Sequence, residues 1–154
     1  MAKYRSTDGV RWAFMKRFDV PWLHDPSVTY LTRWRIVQTP WFGIYLHRIR
    51  TPDSDRWMHN HPFDFISIVL RGGYAEVVAG DAPNAVFGEQ EVRVHDKWSV
   101  HRMDRMHFHE IKTVHPNTWT LVLVGPRVQD WGFATDEGFV PHAEYFEQLK
   151  VQPQ

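Results

Sequence analysis

Apolar and polar residues alternate along most of this chain in short runs, and glycine, proline, asparagine or aspartate breaks the runs every few positions. Alternation at a period of two puts alternate side chains on opposite faces of a β-strand, and the breakers supply the turns. The pattern predicts strands over Tyr30–Val37, Phe42–Arg50, Phe65–Leu70, Tyr74–Val78, Glu91–Val94, Lys97–His101, His107–Val114, Thr118–Val124 and Trp131–Ala134. Between them stand Thr39-Pro40, Gly72-Gly73, Gly80-Asp81, His95-Asp96, Pro116-Asn117 and Gly125-Pro126. Many short strands at close spacing indicate a sandwich or barrel. The two ends read differently. Val10, Phe14 and Phe18 recur at i, i+4 and i+8 after Asp8-Gly9, which predicts a helix over the first twenty residues, ended by Pro21. Pro141–Lys150 is expected to form a short closing helix, with Pro141 near its first turn, and residues 151–154 to fray.

Composition narrows the classes. A chain of 154 residues, 43% hydrophobic and 15% aromatic, suits one packed core and one domain. Its apolar runs, such as Phe65–Leu70, fall far short of the roughly 20 residues of a membrane span. The opening Met-Ala-Lys-Tyr-Arg-Ser has no apolar leader, so the cytoplasm is the expected location. Eighteen basic and eighteen acidic residues cancel, which argues against a nucleic-acid footprint. The basic stretch Arg48–Arg56 contains Asp53 and Asp55 and reads as a solvated loop. Cysteine is absent, so disulfides and thiolate chemistry are excluded and imidazole and carboxylate are left to hold any metal. Eight tryptophans are expected to fill the core and a possible homodimer surface.

Ten histidines include two clusters, His59-Asn60-His61 and His107-Phe108-His109. On a strand, residues i and i+2 share a face, so an H-x-H pair sets two imidazoles side by side. A third ligand must come from another strand, because the first has already moved away from the ion. His107 and His109 share a face, and parity alone does not choose between them.

His59-Asn60-His61-Pro62-Phe63-Asp64-Phe65, followed by Gly72-Gly73-Tyr74, resembles the first cupin motif, and Phe108-His109-Glu110-Ile111 resembles a degenerate second one. Thr118-Trp119-Thr120-Leu121, Gly125-Pro126-Arg127 and Trp131-Gly132-Phe133 extend the likeness to small single-domain, RmlC-like cupins of phage and bacterial genomes. The resemblance implies a double-stranded β-helix, or jelly roll, over residues 28–135, flanked by an N-terminal helical extension (1–27) and a C-terminal segment (136–154). It implies a hairpin at Gly72-Gly73-Tyr74 and favours His109 over His107 as the third ligand. The glutamate of the first motif is missing: counting back from Gly72 puts Phe65 in its place. Asp64 is adjacent but points to the opposite face from His59 and His61, and reaches a metal only if a bulge re-aims it. Otherwise it holds a structural hydrogen bond or orients a histidine.

A site of His59, His61 and His109 without a carboxylate resembles the thiol-dioxygenase branch of the cupins. It implies a divalent transition metal, Fe(II) or Zn first, with Mn, Ni and Cu as alternatives, acting on a small polar metabolite. Trp57, Phe63 and Phe65 would surround the ion, and Tyr45 and His47 would line the cavity unless Phe42, Ile44 and Leu46 take the core face. Arg127 is a candidate anchor for a carboxylate or phosphate, and His101 and Glu110 are candidate acid–base groups. A non-catalytic ligand-binding module and a sugar isomerase or epimerase are the competing readings.

Overall fold

The computed structural model describes residues 13–22, 25, 27–53, 57–79 and 88–151. Its elements are antiparallel strands β1 (Ala13–Pro21), β2 (Thr29–Gln38), β3 (Gly43–Ile49), β4 (Phe65–Arg71), β5 (Gly73–Val78), β6 (Glu91–Asp96), β7 (Val100–Met103), β8 (His109–Val114), β9 (Thr118–Val124), β10 (Gly132–Thr135) and β11 (Gly138–Pro141), closed by helix α1 (His142–Val151). One sheet runs β1-β2-β3-β9-β4-β7 and another β6-β5-β8, while β10 and β11 form a hairpin. The architecture is an all-β jelly roll. Its two larger sheets meet face to face through Leu31, Ile49 and Val69 of the first and Tyr74 and Ile111 of the second, all buried. Each such side chain contributes roughly 1.5–3 kcal/mol by leaving water.

Residues 13–21 correct the sequence reading, because they form a strand and not the end of a helix. β1 pairs with β2 from Phe14 opposite Val37 to Val20 opposite Leu31. An even spacing of apolar residues keeps one face of a strand as well as one face of a helix, and here the open edge of β2 satisfies the backbone. Val10 and Asp8-Gly9, like Gly80-Asp81, lie outside the described residues.

The turn at Gly72-Gly73 is also not a hairpin. β4 pairs with β7 and β9, whereas β5 pairs with β6 and β8, so the chain crosses between sheets here. Gly72 has φ +71°, and a Cβ there would stand 2.4 Å from Thr118 Oγ1, so only glycine fits this corner. The Thr118 hydroxyl accepts from Gly73 N–H at 3.1 Å and has the carbonyls of His115 and Gly73 within reach of its own hydrogen.

The closing helix forms as expected and covers β10. Tyr145 packs on Phe133 with ring centroids 4.0 Å apart, and His142 stacks on Trp131 at 4.5 Å.

Candidate metal centre

His59 and His61 lie on a short extended segment ahead of β4. Backbone bonds fix it from both sides: His59 exchanges N–H···O bonds with His109 at 3.0 and 2.9 Å, Asn60 N–H donates to Gly132 O at 3.1 Å, and Ala134 N–H donates to Met58 O at 2.9 Å. Alternation then sorts the side chains. Asn60 is buried and its Oδ1 accepts from Gly132 N–H at 2.9 Å, and Met58 packs with Ala79, Phe108 and Ala134. His59 and His61 take the other face, with ring centroids 5.2 Å apart. The third imidazole on that face is His109, the first residue of β8, centred 4.7 Å from His59 and 4.9 Å from His61. One ring nitrogen from each of the three lies within 4.8 Å of the others. His107 precedes β8, and its backbone N–H donates to Asp104 O at 3.1 Å.

A carboxylate that the sequence reading missed fixes the orientation of His109. Glu76 of β5, 1% exposed, accepts from His109 Nδ1 at 2.6 Å. That bond places the proton on Nδ1 and turns the lone pair of Nε2 toward His61, whose Nε2 is 2.8 Å away. Two imidazole nitrogens this close either share a proton or share an ion, because adjacent nitrogens on one metal sit roughly 3 Å apart at the usual metal–nitrogen length. Nδ1 of His59 is buried and has no hydrogen-bond partner. A buried polar atom left unsatisfied is costly, and a metal ion at this point would fit the residues present.

The electrostatics match. Burial lowers His59 to about 4, with the charge of Asp53 opposing, and burial together with His109 holds His61 well below the ordinary imidazole range. Both are therefore neutral near pH 7, as metal ligands must be. Burial would lower His109 too, but its hydrogen bond to Glu76 and the Glu76 charge outweigh that and raise it. Burial would raise Glu76, but hydrogen bonds from His109 and His95 overcome it and keep the carboxylate ionised.

Around the histidines the wall is aromatic. Phe65 meets His61 edge-on at 4.9 Å, Phe63 stacks on it at 6.3 Å, and Trp131 and Phe133 back His59 at 6.1 and 6.0 Å. Tyr45 and His47 of β3 face the interior, with Tyr45 edge-on to Phe63 and 3% exposed. His47 accepts from Arg33 Nε at 2.9 Å, and that guanidinium also lies 5.4 Å from the centre of the Tyr45 ring.

Other candidates stand elsewhere. Asp64 accepts from the backbone N–H of Arg105 at 2.9 Å and pairs with its guanidinium at 3.0 Å. Arg127 pairs with Asp130 at 2.6 Å, and Glu110 with Lys112 at 2.7 Å. His101 belongs to a second group, with Glu76 and His95. The signal that points to Glu76 is its phase: it alternates with Tyr74 and Val78, which are buried, so a charged residue faces the core.

No protein-family model matches the chain, and no curated protein matches it in sequence. Solved structures match in fold. An RmlC-like cupin from Shewanella frigidimarina superposes with TM-score 0.52 at 13% identity, over 73% of this chain and 84% of that one. KdgF from Halomonas sp. gives 0.51 at 18% identity, over 76% and 96%. Fe(II)-HppE with an alternative substrate, (S)-1-HPP, gives 0.52 at 16% identity, over 77% of this chain and 60% of that one.

Proposed function

Taking as premise the cupin fold that the chain shares with these structures, we propose that the protein is a metal-dependent enzyme, dioxygenase-like in its three-histidine site, acting on a small polar metabolite that carries negative charge. The observation that carries this reading is the convergence of His59, His61 and His109, with His109 turned inward by Glu76. Three imidazole ligands leave coordination positions open for a substrate, as catalytic sites do and closed structural sites do not. A bound divalent transition metal, Fe(II) or Zn first, would supply Lewis acidity or, for iron, reaction with O₂. The iron in the HppE structure supports the first choice.

The chain's own residues supply the rest. Phe63 and Phe65 keep water from the His61 side. Arg33 brings a positive charge to the same wall, strong enough to count among the influences that keep His61 neutral, and it is the group assigned to the substrate's anion. His47 holds Arg33 from behind, and Tyr45 lies beneath its guanidinium. Tyr45 and His47 thus position the substrate-binding group. Arg127, paired with Asp130, has no part in the proposal.

The test is elemental analysis of untagged protein together with O₂ uptake by the Fe(II)-loaded form, offered small carboxylates and phosphonates. His59→Ala/His61→Ala is expected to lower the metal content by one equivalent per chain and abolish uptake, while Arg33→Ala leaves the metal in place and raises KM. Unchanged metal content in the double variant would overturn the reading. Metal binding without turnover of any substrate that binds would replace the enzyme by a ligand-binding module.

A further inference from the structure

Glu76 has a second oxygen, and it faces a second set of imidazoles. Its Oε1 lies 2.7 Å from Nε2 of His95 on β6, while Oε2 is the atom that meets His109. His95 is 6% exposed, and His101 of β7 stacks on it with ring centroids 3.8 Å apart and planes inclined by 25°. One donor atom each from Glu76, His95 and His101 falls within 4.8 Å of the others. The three side chains come from three strands on both sheets and meet in the interior of the barrel.

A purely structural hydrogen-bond network satisfies its buried polar atoms. This one does not close. Nε2 of His101 lies 3.0 Å from the Tyr74 hydroxyl, but its Nδ1 is buried and has no hydrogen-bond partner. A buried carboxylate beside two imidazoles, one of them with an unsatisfied nitrogen, is the donor set of a borderline divalent cation such as Zn, Fe(II) or Mn.

We propose that Glu76, His95 and His101 form a second metal site, behind His109 and separate from the three-histidine cluster. Glu76 Oε1 is the ligand in this second site, while Oε2 continues to accept from His109 Nδ1. The carboxylate therefore serves one ion directly and orients a ligand of the other. Tyr74 closes the far side and holds the His101 ring through its hydroxyl.

Metal-stripped, untagged protein titrated with Co(II) tests this, with bound metal counted by equilibrium dialysis and its coordination read from the visible absorption of the ion. The wild type is expected to take two equivalents. His101→Phe, which keeps an aromatic ring against His95, is expected to take one, and Glu76→Gln is expected to lose the same equivalent. His59→Ala/His61→Ala is expected to keep the equivalent that His101→Phe loses, so the two sites fail separately. Saturation of the wild type at one equivalent that vanishes in His59→Ala/His61→Ala overturns the second site. A second equivalent that survives both His101→Phe and Glu76→Gln overturns it as well. Circular dichroism of each variant confirms that a lost equivalent is not a lost fold.

Discussion

The two imidazole clusters touch the same carboxylate yet are built in different ways. His59 and His61 sit two residues apart on a segment pinned between β8 and β10, so a single local alternation aims both rings. Glu76 and His95 sit on the paired strands β5 and β6, and only the stacking of the second sheet brings His101 of β7 to them. Local geometry makes the first cluster readable and tolerant of small shifts between sheets. The second exists only where the sheet edge at β7 has packed against β5 and β6. Glu76 joins them, which makes it the residue where the comparison is broken most severely.

Glu76→Ala is expected to have the largest effect. Glu76 is 1% exposed and ionised between two imidazoles, and removing one side of a buried charged pair typically costs about 3–5 kcal/mol. Urea denaturation should show that loss, and metal affinity should fall at both clusters. A drop confined to one cluster would mean that the two are not joined through this residue.

Asp64 offers the contrasting carboxylate, close to the H-x-H pair in sequence but engaged by Arg105. Its backbone bond from Arg105, against a smaller opposing effect of burial, lowers its pKa. A lowered folded pKa gives stability that is present above the ordinary carboxylate range and is lost as pH falls through the folded value. Asp64→Asn should therefore cost about 1 kcal/mol at neutral pH, allowing for partial exposure. It should flatten the acid limb of the stability profile and leave the metal content unchanged. Loss of a metal equivalent in this variant would transfer the ligand role to Asp64.

Trp98 should give the smallest effect, and of opposite sign. It lies in the turn between β6 and β7, which carry His95 and His101, with φ +71° and 66% of its surface exposed. A left-handed backbone is strained for a bulky aromatic residue and open to glycine at no steric cost. Trp98→Gly is expected to gain about 0.5–1 kcal/mol in thermal or urea unfolding, with both metal equivalents retained. A loss of the second equivalent would show that the turn sets the distance between His95 and His101.

What could be read in the sequence follows the same division. The strands from β2 to β10 were marked by alternation and breakers, and the H-x-H pair by a period of two. His109 came from the resemblance, since parity left His107 equally good. Glu76 is not legible in the sequence because its partners lie 19 and 33 residues further on, beyond the fixed step after the histidines at which the first motif carries its glutamate. The strand at 13–21 reads as helix in the sequence because Phe14 and Phe18 are spaced evenly, and even spacing suits either period. The corner at Gly72-Gly73 looked like a hairpin because glycine pairs mark turns without saying which strands they join; the packing of Thr118 against Gly72 decides that.

The sheet order β1-β2-β3-β9-β4-β7 has a consequence in time. β9 stands between β3 and β4 and pairs with both, although about seventy residues separate it from β3. During synthesis β3 and β4 emerge first and must wait for residues 118–124 before either gains its inner neighbour, and His59 must wait for residues 109 and 133 before its own bridges form. The frame that holds both sets of imidazoles is thus completed only once residues 118–133 have emerged.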